Sequence, residues 1–174
     1  MNARQLNSFT KHFTTRRETI AVAESVTAGK LQHLLSAAEQ ATAFFEGGIT
    51  VYNLLQKQRL LGVNFEEGIK CNSVSRPVAE QMALGVADLF KSDWGIAITG
   101  YASPVPELGI HELHAFFAVS YKGKILISER ITTSRGSTER VQGDYAAIII
   151  KHMQFYMESG ERRVGYAGEG GSKN

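Results

Sequence analysis

Residues 19–29 read TIAVAESVTAG, and the change of character inside this stretch decides the fold. Thr19 to Ala23 is a short, β-rich apolar run, as a buried central strand requires, and it meets Glu24-Ser25-Val26-Thr27-Ala28-Gly29, where a helix should start. The helix then carries Leu31, Leu34 and Leu35 inward and ends near Glu39-Gln40. A strand feeding a helix through a polar turn is the repeating unit of an α/β sheet.

The same alternation continues on both sides. Before the strand, Leu6, Phe9 and Phe13 fall at helical spacing and predict an amphipathic helix. After it, Phe45 to Tyr52 is extended, Leu54, Leu55 and Leu61 lie on a short helix that Gly62 closes, and Ser75 caps a helix running through Val78, Met82, Val86 and Leu89 to Lys91. Trp94 to Thr99 reads as another buried strand. His114 to Tyr121 and Ile125 to Thr132 flank Lys122-Gly123-Lys124 as a hairpin, and a last helix covers roughly Ser137 to Glu158. The sum is a single three-layer α/β/α domain over residues 1–159, with a mixed, mostly parallel sheet and one antiparallel hairpin. Residues 160–174, GERRVGYAGEGGSKN, have too little apolar area to offset their ordering entropy and are expected to form a disordered tail.

Composition narrows the function classes. The chain has 174 residues, 43% of them hydrophobic, which suits one domain with a real core. The formal net charge of +2 is far from the basic stripe of a nucleic-acid binder, so no nucleic-acid partner is expected. No apolar stretch approaches a membrane span and the N-terminal segment has no export pattern, so no membrane partner is expected either. The lone Cys71 cannot form an internal bridge, and with these signs it points to the cytoplasm. His111-Glu112-Leu113-His114 invites a metal reading, but a loop entering an alternating strand turns the two imidazoles to opposite faces. No metal site and no cofactor are predicted.

Ligands of open α/β sheets gather beyond the carboxyl ends of the strands, which selects Glu24 to Gly29, Thr99 to Pro104 and the region from Gly47 to Lys57. In the first, free N–H groups at the helix start can hold a phosphate or carboxylate, with Ser25 and Thr27 hydroxyls added and Gly29 letting the ligand approach. Ordinary N-capping by Ser25 or Thr27 is the competing reading. Tyr52 and Lys57 straddle an element boundary. A desolvated lysine can act as a base and a tyrosine can relay a proton, against the plainer readings of core packing and a solvated helix face.

Taken together, AESVTAG, FFEGGITVYNLLQKQRLLGV, SVSRPVAEQMALGVADLF and WGIAITGYASP, in that order, resemble the CinA C-terminal domain family, which includes the nicotinamide mononucleotide amidohydrolases. The resemblance covers about residues 20 to 155. It implies a homodimer in pyridine-nucleotide salvage that hydrolyses the carboxamide of nicotinamide mononucleotide to nicotinate mononucleotide and ammonia, without a metal. The family's A-E-S-C/L-T-G-G is followed from Ala23 to Gly29, with Val26 and Ala28 as departures, and its Y-x-x-x-x-K by Tyr52 and Lys57. Its nucleophilic serine lies in a G-S-S-like stretch shortly before F-x-x-G, and alignment without gaps puts Thr42 there. The resemblance therefore implies Thr42, Tyr52 and Lys57 as catalytic residues, with Glu24, Ser25, Thr27, Gly29, Thr99, Gly100 and Arg140 around the nucleotide. Tyr101 stands where the family has a small residue, and Arg135-Gly136-Ser137 does not reproduce the G-D-R that precedes the basic position matched by Arg140. A divergent member without catalysis, kept as a nucleotide-binding or protein-interaction module, is the alternative these departures leave open.

Overall fold

The computed structural model describes residues 3–167, with side chains described from Phe9 to Ser159. The central strand β1 (Ile20–Glu24) is buried at all five positions, the pattern of a strand covered on both faces. It lies between β2 (Phe45–Thr50) and β3 (Trp94–Gly100), parallel to both, while β4 (His114–Tyr121) and β5 (Lys124–Thr132) extend the sheet antiparallel to give the order β2-β1-β3-β4-β5. Four strands thus run one way and β4 alone runs the other. The expected mixed α/β sheet with one hairpin is what forms.

Side-chain alternation along the strands splits the core in two. Ile20 and Val22 of β1, Ile96 and Ile98 of β3 and Phe117 and Val119 of β4 face α1 (Ala3–Arg16), α2 (Lys30–Ser36) and α6 (Thr138–Ala167). Ala21, Ala23, Ala97 and Ala118 face α5 (Arg76–Phe90), and these small side chains let Val78, Met82 and Val86 approach the sheet closely. Phe9 and Phe13, which define the amphipathic stripe of α1, are 1% and 0% exposed, so each adds about 2–3 kcal/mol of burial to the first face. Ser75 caps α5 by accepting the Val78 N–H, as its position before Arg76-Pro77 predicts.

Two boundaries differ from the sequence reading. A short helix α4 (Phe65–Lys70) follows α3 (Leu54–Leu61), capped by the Asn64 side chain, although its mixed FEEGIK composition has no clear apolar stripe. The backbone of α6 continues past Glu158 to Ala167, so a helix occupies the first part of the stretch expected to be a tail. Residues 168–174 of that stretch lie outside the described residues.

Candidate active site

Where β1 ends, its two neighbours hold the chain: Val51 N–H donates to Glu24 O at 2.8 Å, and Ser25 N–H donates to Ile98 O at 3.1 Å. Ser25 is thereby fixed at the carboxyl edge of the sheet, on the boundary between strand and turn. The turn reaches α2 through Ala28 (φ 49°) and Gly29 (φ 100°), both in the left-handed region, and the second of these demands glycine.

The helix start is not an empty anion site. Glu24 is fully buried and folds its carboxylate over the first turn of α2, accepting the N–H groups of Gly29 (3.0 Å), Leu31 (3.0 Å) and Gln32 (2.8 Å). A resident carboxylate satisfies the orphan donors and the positive end of the helix. This corrects two expectations: the α2 N-terminus does not hold a ligand anion, and neither Ser25 nor Thr27 caps it. Thr27 is fully buried, and its hydroxyl has no hydrogen-bond partner. Among the described residues the amides of Val26 and Thr27 also make no hydrogen bond, which leaves two donors one and two residues beyond the Ser25 hydroxyl.

Lys57 comes to this point from the neighbouring crossover. Asn53 caps α3 by accepting the Gln56 N–H, and Lys57, one turn into the helix, projects against the sheet edge. It is only 2% exposed. Its Nζ donates to Ser25 Oγ at 3.0 Å and lies 3.5 Å from Tyr52 O, and no carboxylate pairs with it among the described residues. Burial pushes the Lys57 amine down from 10.5 to about 8, because desolvation penalises its charged form.

Ser25 and Lys57 open onto a pocket of about 590 Å³, within the range of small-molecule sites. Tyr52 lines its rim with a side chain 74% exposed, and its phenol makes no hydrogen bond to Ser25 or Lys57. Thr99 and Gly100 form the floor at the end of β3. Thr99 Oγ1 donates to Ser73 O at 2.7 Å, and a Cβ at Gly100 would lie 2.4 Å from that of Ala115 and 2.6 Å from its Cα, so only glycine fits against β4.

The remaining sequence candidates are elsewhere. Thr42 sits in the 3-10 turn Ala41–Ala43 ahead of β2, exposed and outside the pocket lining. Since β2 runs parallel to β1, with Phe45 beside Ile20 and Thr50 beside Glu24, Thr42 lies beyond the amino edge of the sheet and Lys57 beyond the carboxyl edge. Five strand residues separate those edges by roughly 16 Å. The Thr42 nucleophile is therefore corrected: the hydroxyl facing Lys57 is that of Ser25. Arg140 likewise lies outside the lining, with a side chain 71% exposed and its Nε 3.8 Å from Asp144 Oδ2, so it does not anchor a phosphate in this pocket. Gly29 and Thr27 belong to the turn and not to the pocket wall.

Several lining residues escaped the sequence reading. Asn72 and Ser73 both take positive φ (49° and 60°) in the loop before α5, and Asn72 Nδ2 donates to the Tyr101 phenol at 3.2 Å. Thr138 and Gln142 enter from the first turns of α6. The usable signal was an asparagine, tolerant of left-handed backbone, just ahead of a capped helix.

Fold and site together define an α/β protein with a buried serine–lysine pair at the carboxyl edge of its sheet. The chain belongs to the CinA C-terminal domain family, whose profile matches residues 3–154. It is 49% identical over 90 residues to a CinA-like protein of a Picosynechococcus species, a stretch covering 52% of this chain and 22% of the relative. A CinA-like protein of a Synechocystis species is 48% identical over 89 residues, 51% of this chain and 21% of that protein. The shared stretch thus spans about a fifth of these curated relatives. A competence-damaged protein (CinA) superfamily structure from Enterobacter cloacae superposes with a TM-score of 0.83 at 28% identity, covering 89% of this chain and 91% of that one. One from Escherichia coli gives 0.79 at 27% identity, covering 88% and 87%.

Proposed function

We propose that this protein is a metal-independent serine amidohydrolase that cleaves the carboxamide of a small molecule, with Ser25 as nucleophile and Lys57 as its base. The observation that carries the reading is the 3.0 Å contact between a buried, unpaired lysine amine and a hydroxyl facing a ligand-sized pocket. Burial does for this lysine what the chemistry asks. A base must shed its proton near working pH, and a pKa of about 8 makes the neutral amine accessible.

The neutral amine takes the Ser25 proton as Oγ attacks the amide carbon. Negative charge develops on the former carbonyl oxygen, and the unengaged N–H of Val26, which lines the pocket next to Ser25, is a donor that can receive it. The Lys57 ammonium then protonates the amide nitrogen as its bond to carbon breaks, so that it leaves as ammonia, and water releases the acid from the ester on Ser25 and returns its proton to the hydroxyl. Tyr52 supplies its backbone carbonyl to the lysine and its ring to the pocket rim. The sequence resemblance nominates nicotinamide mononucleotide as the first amide to try. Ammonia release by wild type, Ser25→Ala, Lys57→Ala and Thr42→Ala tests the reading, which requires loss in the first two variants and retention in the third. Activity that survives Ser25→Ala refutes it.

A further inference from the structure

Glu24 precedes the reacting hydroxyl by one residue, and its carboxylate is spent on the turn that follows that hydroxyl. Strand alternation makes this possible. Ile20 and Val22 of β1 face α2, and Glu24 continues their row, whereas Ala21 and Ala23 face α5 and Ser25 continues theirs towards Lys57. One residue thus locks the helix while the next meets the base.

Every amide from Gly29 to His33 is accounted for. Gly29, Leu31 and Gln32 donate to the Glu24 carboxylate, Lys30 N–H donates to Thr27 O at 3.0 Å, and His33 N–H donates to Gly29 O at 2.9 Å. The backbone from Ser25 to Gly29 is therefore a closed loop. One end is pinned by the Ser25 N–H on Ile98 O, and the other by a carboxylate belonging to the residue just before the loop. Inside it Ala28 takes φ 49°, a left-handed conformation that a residue other than glycine keeps only when its surroundings impose it. Three charge-assisted bonds converging on one buried carboxylate supply that constraint. The Ser25 hydroxyl and the Val26 N–H ride on the same loop and line the pocket, while Glu24 is fully buried outside the lining.

We infer that Glu24 is a positioning residue: through the first amides of α2 it holds the Ser25–Gly29 loop, so that the Ser25 hydroxyl and the Val26 N–H keep the geometry that attack and charge stabilisation require. The inference rests on the amidohydrolase reading for the reaction it serves. Glu24→Gln is nearly isosteric but turns one acceptor oxygen into a donor that faces N–H groups. In the full chain, at a temperature where circular dichroism shows each variant folded, its kcat for ammonia release from nicotinamide mononucleotide is expected to fall at least about tenfold, with KM within about twofold of wild type. Labelling of Ser25 by a hydroxyl-directed fluorophosphonate should slow by a similar factor, and amide hydrogen exchange should speed up at Gly29, Leu31 and Gln32. Glu18→Ala, which removes a carboxylate at the opposite edge of the sheet, should keep its kcat and its labelling rate, separating positioning from stability. Should Glu24→Gln not fold, Glu24→Asp, which keeps the charge but is one methylene shorter, is expected to show the same losses. Unchanged kcat and labelling in a folded Glu24 variant, an equal loss in Glu18→Ala, or unchanged exchange at the three amides overturns the inference and leaves the amidohydrolase reading standing. Where wild type labels on Ser25 but spares the mononucleotide, the labelling ratio decides the inference alone. A wild type that neither releases ammonia nor labels on Ser25 refutes the reading and the inference with it.

Discussion

The two ends of the central strand are built from similar residue types and used in opposite ways. At the amino edge the carboxylates beside β1 are consumed internally. The Glu18 carboxylate accepts the Trp94 indole N–H at 2.8 Å and the Tyr121 phenol at 2.7 Å, and Asp93 accepts the Thr19 N–H at 3.0 Å. Phe13 lies against both Phe44 and Trp94, with ring centroids 5.7 and 5.8 Å away. At the carboxyl edge Glu24 is consumed in the same manner, yet beside it Ser25, Val26 and Lys57 line an open pocket with a hydroxyl, an unengaged amide and an amine. Buried polar groups are costly unless paired, so an end that leaves several without full partners gives up stability that a ligand can restore. The amino edge serves the fold; the carboxyl edge is where the proposed chemistry sits.

The sharpest way to break this contrast is to exchange hydroxyls across it. Ser25→Ala should lower kcat/KM for amide hydrolysis by roughly 10³-fold or more, as loss of a nucleophile does, while Thr42→Ala stays within about twofold of wild type. Steady-state ammonia release measures both. A large loss in the threonine variant would move the site to the other edge.

Lys57→Ala should cost about 10²- to 10⁴-fold, the usual worth of a positioned base. In wild type, kcat/KM should rise tenfold per pH unit up to about 8 and then level, because the ammonium below that pH has no lone pair to accept the serine proton. The sign for stability follows from the same burial. The folded state releases this proton at about 8 and the unfolded chain near 10.5, so the contribution of Lys57 to stability increases as pH rises through that window. A kcat/KM profile flat from pH 6 to 9 would contradict the lysine's role.

Much of this organisation is legible in the sequence. The apolar run before Glu24, the Ser75 cap ahead of Arg76-Pro77 and the hairpin around Lys122-Gly123 each follow from local chemistry, and the layers follow from their order. The position of Thr42 is legible too. A residue preceding a strand parallel to β1 must lie at the amino edge, so topology alone separates it from Lys57. The α2 cap was less accessible. Glu24 is a strand residue by its pairing, and nothing in AESVTAG says that its carboxylate folds forward to take three amides eight residues or fewer ahead. The wall made by Asn72 and Tyr101 joins segments 29 residues apart, a contact set by tertiary packing and not by any local pattern.

Smaller effects test the structural side of the comparison. Glu18→Ala leaves the Trp94 indole and Tyr121 phenol without their acceptor and should destabilise the protein by about 2–3 kcal/mol in urea unfolding. The kcat of the folded protein should not change, because the proposed reaction takes place at the opposite edge. Gly100→Ala should cost about 1–3 kcal/mol by overpacking against Ala115, and should also raise KM because the strain falls on the pocket floor.

The most direct test of the central claim is covalent. After incubation of the full chain with a hydroxyl-directed fluorophosphonate at pH 9, peptide mapping by mass spectrometry should find the adduct on Ser25, with labelling slowed at least tenfold in Lys57→Ala. Label on Thr42, or labelling of Ser25 at the same rate without the lysine, would contradict the account.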